Sequence, residues 1–155
     1  MKCEDCMKGD YALCKHYSFI GTRQPGSFAE YICVPEQNAV PFDDSVSFEQ
    51  GALFEPAAVA LHGLECLPYE GGKTVAILGG GTIGLLVMQW ANIYGAAKTV
   101  VFDIDDDRIK LAKEMGAYDG VNTLEEGFME KAMAMTDGKG FDYIYETAGS
   151  TITMK

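Results

Sequence analysis

The stretch Thr74-Val-Ala-Ile-Leu-Gly-Gly-Gly-Thr-Ile-Gly84 constrains this chain more than any other. Val75 to Leu78 is a continuous apolar run, the pattern of a strand buried on both faces. It leads into Gly79-x-Gly81-x-x-Gly84, and a helix-length apolar pattern follows through Ile83, Leu85, Leu86, Met88, Trp90 and Ile93. Strand, glycine turn and helix in that order form the context in which this spacing holds a dinucleotide. Gly79 permits the tight turn, Gly81 lets the backbone approach a pyrophosphate, and Gly84 lets the helix close on the strand. The phosphates are expected on the free N–H groups at the helix start, around Thr82 and Ile83, where the helix dipole favours negative charge.

Glycine turns also close ordinary strand–helix junctions, so the continuation matters. Thr99-Val-Val-Phe-Asp103 reads as a second strand ending in an acid, 19 positions past Gly84. That offset is close to the roughly 20 residues expected for a carboxylate that takes the ribose hydroxyls. Asp105, Asp106 and Asp107 crowd the same turn and would repel a 2′-phosphate, which favours NAD over NADP. The same acids also suit a solvated helix start.

From Thr74 onward, apolar strands alternate with helical patterns. The reading is strand 74–79, helix 82–95, strand 99–103, helix 106–115, strand 119–122, helix 125–136 and strand 141–146. In the second helix Ile109, Leu111, Ala112 and Met115 can face the sheet. Such alternation predicts parallel strands joined by crossovers, an α/β architecture amounting to half of a doubly wound sheet.

Upstream, residues 18–48 show strand-like runs at 28–34 and 39–42, broken by Pro25-Gly26, Pro35 and Asp43-Asp44. Ser47 and Gln50 have capping-box spacing and open a helix-like stretch reaching about Leu67, interrupted at Glu55-Pro56. The 155 residues carry 23 acidic and 12 basic side chains, a net charge of −11 that argues against nucleic acid and anionic membranes as partners. No apolar run of about 18 residues exists, and the amino terminus lacks an apolar signal region, so a cytoplasmic protein is expected.

Of five cysteines, Cys3, Cys6 and Cys14 cluster near the start, a grouping that in such a chain points to metal rather than disulfide. Structural zinc takes four ligands, of which three are visible. Cys33 and Cys66 stand alone among apolar residues and read as small core side chains. His62 reads more as a buried, hydrogen-bonded histidine than as part of a site, and Glu55 either as a helix-start acid or as an acid that is costly in an apolar stretch unless paired or metal-bound.

Taken together, these motifs resemble the medium-chain, zinc-dependent alcohol and polyol dehydrogenases. The stretches that carry the resemblance are Cys3-Glu-Asp-Cys6 with Cys14, Gly26-Ser-Phe-Ala-Glu-Tyr31, Phe54-Glu-Pro-Ala-Ala-Val59 with His62, Gly79 to Gly84 with Asp103, and Asp142 to Gly149. The Glu-Pro form is most similar to the sorbitol branch, and Cys14 to Arg23 resembles galactitol-1-phosphate dehydrogenases. The resemblance implies a remnant of a β-rich, GroES-like catalytic domain with a structural-zinc lobe over residues 1–68. The first half of a Rossmann NAD-binding domain would follow over 69–155. It implies Cys3, Cys6 and Cys14 as zinc ligands, the lobe's first ligand falling one residue before Met1. Glu55 is implied at the catalytic zinc, and Gly79, Gly81, Thr82, Ile83, Gly84, Asp103 and Arg108 at the cofactor.

The activity it implies is NAD-dependent, zinc-assisted oxidation of a secondary alcohol of a polyol or polyol phosphate, by a homo-oligomer. The family's catalytic Cys, Gly-His-Glu ligands and Ser/Thr relay have no counterpart in these residues, so the segment alone is expected to be inactive. Two other readings stand beside it. One is a truncated, non-catalytic nucleotide-binding or interaction module. The other, an S-adenosylmethionine methyltransferase, has no place for the cysteine lobe or Glu55-Pro56.

Overall fold

The structure, a computed structural model, describes residues 2–154. The chain divides into two compact units between Asp43 and Asp44, ahead of the 68/69 boundary expected from the sequence.

The first unit is loop-rich. It holds a short helix α1 (Glu4–Lys8), single 3-10 turns at Tyr11–Leu13 and Glu36–Asn38, and an isolated bridge between Ile20 and Gln24. The runs at 28–34 and 39–42 do not form the expected strands, and Phe28, Tyr31 and Val40 stand exposed. A strand is stable only when a neighbour takes its N–H and C=O groups and one face is covered. No described residue of this unit supplies that neighbour, so β-type sequence remains loop.

The second unit opens with α2 (Phe48–Gly51) and α3 (Phe54–Glu65). Ser47 caps α2 through the expected box, with Gln50 N–H donating to Ser47 Oγ and Ser47 N–H to Gln50 Oε1. Pro56 lies in the first turn of α3, where a missing N–H costs nothing. There follow β1 (Thr74–Leu78), α4 (Thr82–Ile93), β2 (Lys98–Asp103), α5 (Asp106–Glu114), β3 (Asp119–Asn122), α6 (Phe128–Ala134) and β4 (Tyr143–Glu146). The four strands are parallel in the order β3-β2-β1-β4.

Chain order therefore runs outward from β1 to β3 and then returns to the other side of β1. That reversal makes a switch point at the carboxyl ends of β1 and β4, where open α/β sheets receive ligands. Leu78, Phe102 and Glu146 are in register there.

The core explains why the division falls before α2. Ala60 and Leu64 of α3 are buried with Val75 and Ile77 of β1, Met88 and Ala91 of α4 and Tyr145 of β4. Burying such side chains stabilises by about 1.5–3 kcal/mol for each large one. Polar ties follow the same path. Trp90 Nε1 donates to Ala57 O at 2.9 Å, Tyr145 OH to Leu64 O at 3.3 Å, and Tyr143 OH to Pro68 O at 2.9 Å. On α5 only Ile109 and Ala112 of the four expected inward residues are buried. Leu111 and Met115 remain exposed, because the stripe is narrower than the sequence pattern allows.

Candidate functional site

Gly79 follows β1 directly with φ +105°, and its N–H donates to Phe102 O at 2.7 Å, so the turn begins while still paired to β2. A side chain there would press on the backbone of Ala148. Gly84, one turn into α4, sits against Gly79 O and Thr147 Oγ1, and a Cβ at that position would fall on the carbonyl. These two glycines are required by packing. Gly81 is not: its backbone is extended and a Cβ would meet no atom of the chain within 4 Å. The open space outside Gly81 is what a pyrophosphate needs.

Gly81 is also the N-cap of α4 and offers no side chain to the helix start. The leading N–H groups, those of Thr82, Ile83 and Gly84, therefore have no side-chain cap, as anion binding at a helix N-terminus requires.

Asp103 ends β2 beside this turn and is buried, with 7% of its surface exposed. Oδ2 accepts from Gly80 N–H at 2.6 Å, and Oδ1 accepts from Ile104 N–H at 2.7 Å and Asp105 N–H at 3.0 Å. A carboxylate has about four acceptor positions, so about one remains for a ligand. Arg108 Nη1 stands 3.6 Å from Asp103 Oδ2, and its Nε 3.9 Å from Asp105 Oδ2. Asp105 caps α5, accepting from Asp107 and Arg108 N–H, while Asp106 accepts from Asn122 Nδ2 at 2.7 Å. The acidic run is thus both a helix start and a negative rim.

Two participants were not legible as such. Gly80 fills the variable place in the glycine pattern, yet its N–H fixes Asp103; the run of three glycines was the only signal. Thr147 donates to Leu78 O and Gly79 O, both at 3.0 Å, and braces the turn from β4.

In the first unit, Cys3 is the N-cap of α1, Cys6 lies within that helix and is buried, and Cys14 follows the 3-10 turn. Their sulfurs all lie within 4.8 Å of one another, with Cys3 and Cys6 at 3.5 Å. Among the described residues this is the only grouping of three or more metal-ligating side chains. Backbone N–H groups of Cys6 and Lys15 directed at its sulfur bring the Cys3 thiol down to about 7. Burial pushes Cys6 up to about 11, with the Cys14 and Cys3 sulfurs adding to it. Zinc bonded to sulfur at about 2.3 Å holds neighbouring sulfurs about 3.8 Å apart, close to the Cys3–Cys6 spacing, and three thiols are a soft donor set that suits it once Cys14 closes in.

Three sequence expectations are corrected. Cys33 and Cys66 are exposed rather than core residues, and His62 is exposed rather than buried. Apolar neighbours in sequence do not place a residue on the covered face of its element. Glu55 is also exposed, on the first turn of α3, where the helix dipole favours an acid and the desolvation cost disappears. All five cysteines are free, and no described helix is long and apolar enough to cross a membrane.

Comparison with known proteins follows the same division. Residues 82–155 match the zinc-binding dehydrogenase family model, and residues 1–44 match that of the alcohol dehydrogenase GroES-like domain. The galactitol 1-phosphate 5-dehydrogenase of Escherichia coli K12 is 37% identical over 153 residues, covering 99% of this chain and 44% of the relative. The sorbitol dehydrogenase of Bacillus subtilis is 34% identical over 155 residues, again covering 99% and 44%. The crystal structure of galactitol-1-phosphate dehydrogenase from E. coli superposes with a TM-score of 0.83 at 38% identity, over 96% of this chain and 43% of that one. The chain spans less than half the length of these relatives.

Proposed function

Since the chain belongs to the medium-chain, zinc-dependent alcohol and polyol dehydrogenase family, we propose that it is a segment of an NAD-dependent enzyme oxidising a secondary alcohol of a polyol or polyol phosphate. In this reading residues 1–68 belong to the catalytic domain with its structural-zinc lobe, and 69–155 form the first half of the NAD-binding domain. The observation that carries the reading is the pairing of an uncapped α4 start with a buried Asp103 held by Gly80 at the sheet's switch point.

The chain's own residues then have these tasks. Thr82, Ile83 and Gly84 N–H groups take the pyrophosphate, Gly79 makes the tight turn that brings the chain to them, and Gly81 leaves the path open. The remaining acceptor position of Asp103 takes a ribose hydroxyl. Arg108 borders the ribose, and its charge is already shared by Asp103 and Asp105, which leaves little of it for a 2′-phosphate. Cys3, Cys6 and Cys14 would hold the structural zinc, and Glu55 would serve the catalytic one. When bound, NAD accepts hydride from the substrate carbon and zinc acts as a Lewis acid on its hydroxyl. The names of the relatives support a polyol or its phosphate as substrate.

Gly81→Val tests the central point. A Cβ at this position meets no atom of the chain within 4 Å, so thermal unfolding should change little, while NADH affinity measured by calorimetry should fall at least about tenfold. Unchanged affinity in a folded variant would remove the dinucleotide from this turn.

A further inference from the structure

α3 presents a second pair of metal-seeking side chains that the dinucleotide reading does not use. His62 and Cys66 stand one helical turn apart, and Cys66 Sγ lies 3.8 Å from His62 Nε2. Both side chains are exposed. Cys66 N–H donates to His62 O at 3.0 Å, so the turn joining them is closed and their backbones are fixed relative to one another.

The spacing suits one ion. A tetrahedral centre about 2.3 Å from sulfur and about 2.0 Å from nitrogen separates those atoms by about 3.6 Å. The pair therefore needs only a small rotation to grip a cation between them. One thiolate sulfur and one imidazole nitrogen select zinc, cadmium or cobalt over magnesium or calcium, which prefer oxygen. Glu55 lies on the same helical stripe but seven residues earlier, about 10.5 Å along the axis, too far to join the same ion. The nearby Tyr145 hydroxyl is committed to Leu64 O and supplies no ligand.

We propose that His62 and Cys66 form a two-point surface chelate for a thiophilic divalent cation such as zinc, with water filling the remaining positions. The site is independent of Cys3, Cys6 and Cys14 and of the reading of the glycine turn.

Iodoacetamide labelling of the whole chain, read cysteine by cysteine by mass spectrometry, tests it without removing any thiol. A metal-held thiolate is a poor nucleophile, so zinc should slow labelling of Cys66 by at least about tenfold, and calcium should not. His62→Ala should abolish most of that protection. Equal protection in the variant, or none in the parent chain, would overturn the chelate. As a second readout, cadmium added to the Cys3→Ser, Cys6→Ser, Cys14→Ser chain should give a sulfur-to-metal absorption band that disappears with Cys66→Ser and weakens with His62→Ala. Absence of the band in the folded triple variant would equally refute it.

Discussion

The backbone N–H of Gly80 donates to Asp103 Oδ2 at 2.6 Å, so the turn after β1 and the end of β2 are joined directly. The acid proposed to meet the ribose is also the acid that shapes the turn after β1. Its two oxygens accept three backbone N–H groups in all, and Arg108 lies alongside. If Asp103 takes the ribose as proposed, binding and folding at this position are coupled.

Replacing Asp103 should consequently do two things at once. Asp103→Ala leaves three N–H groups without their acceptor, and with partial rehydration the loss of stability should be about 2–3 kcal/mol. The parent chain should bind NADH at least about tenfold more tightly than NADPH, roughly 1.4 kcal/mol, and the variant should narrow that gap. Asp103→Asn, which keeps one acceptor oxygen, should fall between them in stability. Denaturant unfolding and calorimetry on the three proteins measure both effects; equal NADH and NADPH affinities in the parent would remove Asp103 from cofactor choice.

Asp142 should make the sheet acid-sensitive. Thr74 N–H at 2.8 Å and Thr74 Oγ1 at 2.9 Å hold its carboxyl below the usual carboxylate range, and Asp142 N–H in turn donates to Thr74. A group whose folded pKa is depressed stabilises the fold above its unfolded value, near about 3.9 for Asp, and loses that contribution as pH falls through the folded value. Asp119 has the same sign: burial raises its carboxyl, but the Lys113 ammonium at 2.6 Å and Gly120 N–H outweigh it. Thermal unfolding should thus lose stability below about pH 5, and Asp142→Asn should lessen that slope without abolishing it. An unaltered slope would mean the Thr74 latch contributes nothing in solution.

The alternation of buried strands and helices from Thr74 onward was readable because a parallel sheet demands continuous apolar strands, as in Val75 to Leu78 and Thr99 to Phe102. The glycine turn was readable because Gly79 and Gly84 answer to backbone contacts that recur wherever that turn occurs. Exposure was not readable. His62, Cys33 and Cys66 sit among apolar neighbours in sequence, yet which side of an element is covered depends on what packs there. The runs at 28–34 and 39–42 failed as strands for a related reason, since a strand's existence is decided by a partner that its own residues do not encode. Gly80 is not legible because its contribution is a backbone N–H, which every residue type except proline carries.

The cysteine lobe makes a prediction about stoichiometry. Three sulfurs within 4.8 Å satisfy three of zinc's four positions, and water, a residue before Met1 or another chain would supply the last. Zinc should bind through this set at less than one equivalent per chain at limiting concentration, and binding should release protons, one of them from Cys6, whose thiol is pushed up to about 11. Metal analysis after gel filtration should show the tightly held fraction vanish when Cys3, Cys6 and Cys14 are all changed to Ser. Full retention in that variant would sink the lobe assignment.

The two glycines of the helix entry should respond in opposite ways, and the contrast tests the geometry directly. A Cβ at Gly84 would fall on Gly79 O and come within 2.8 Å of Thr147 Oγ1, so Gly84→Ala must push α4 away from β1. Overpacking of this kind costs about 1–3 kcal/mol, and the upper end is expected because one of the obstructing atoms is backbone. Gly81→Ala places its methyl in open space and should stay within about 0.5 kcal/mol of the parent. Thr147→Ala clears the hydroxyl from the path of the new methyl but leaves the carbonyl, so it should not rescue Gly84→Ala. Urea unfolding of the four proteins decides the matter. Equal stability of the two alanine variants, or rescue by Thr147→Ala, would mean that α4 does not close on the strand through Gly84.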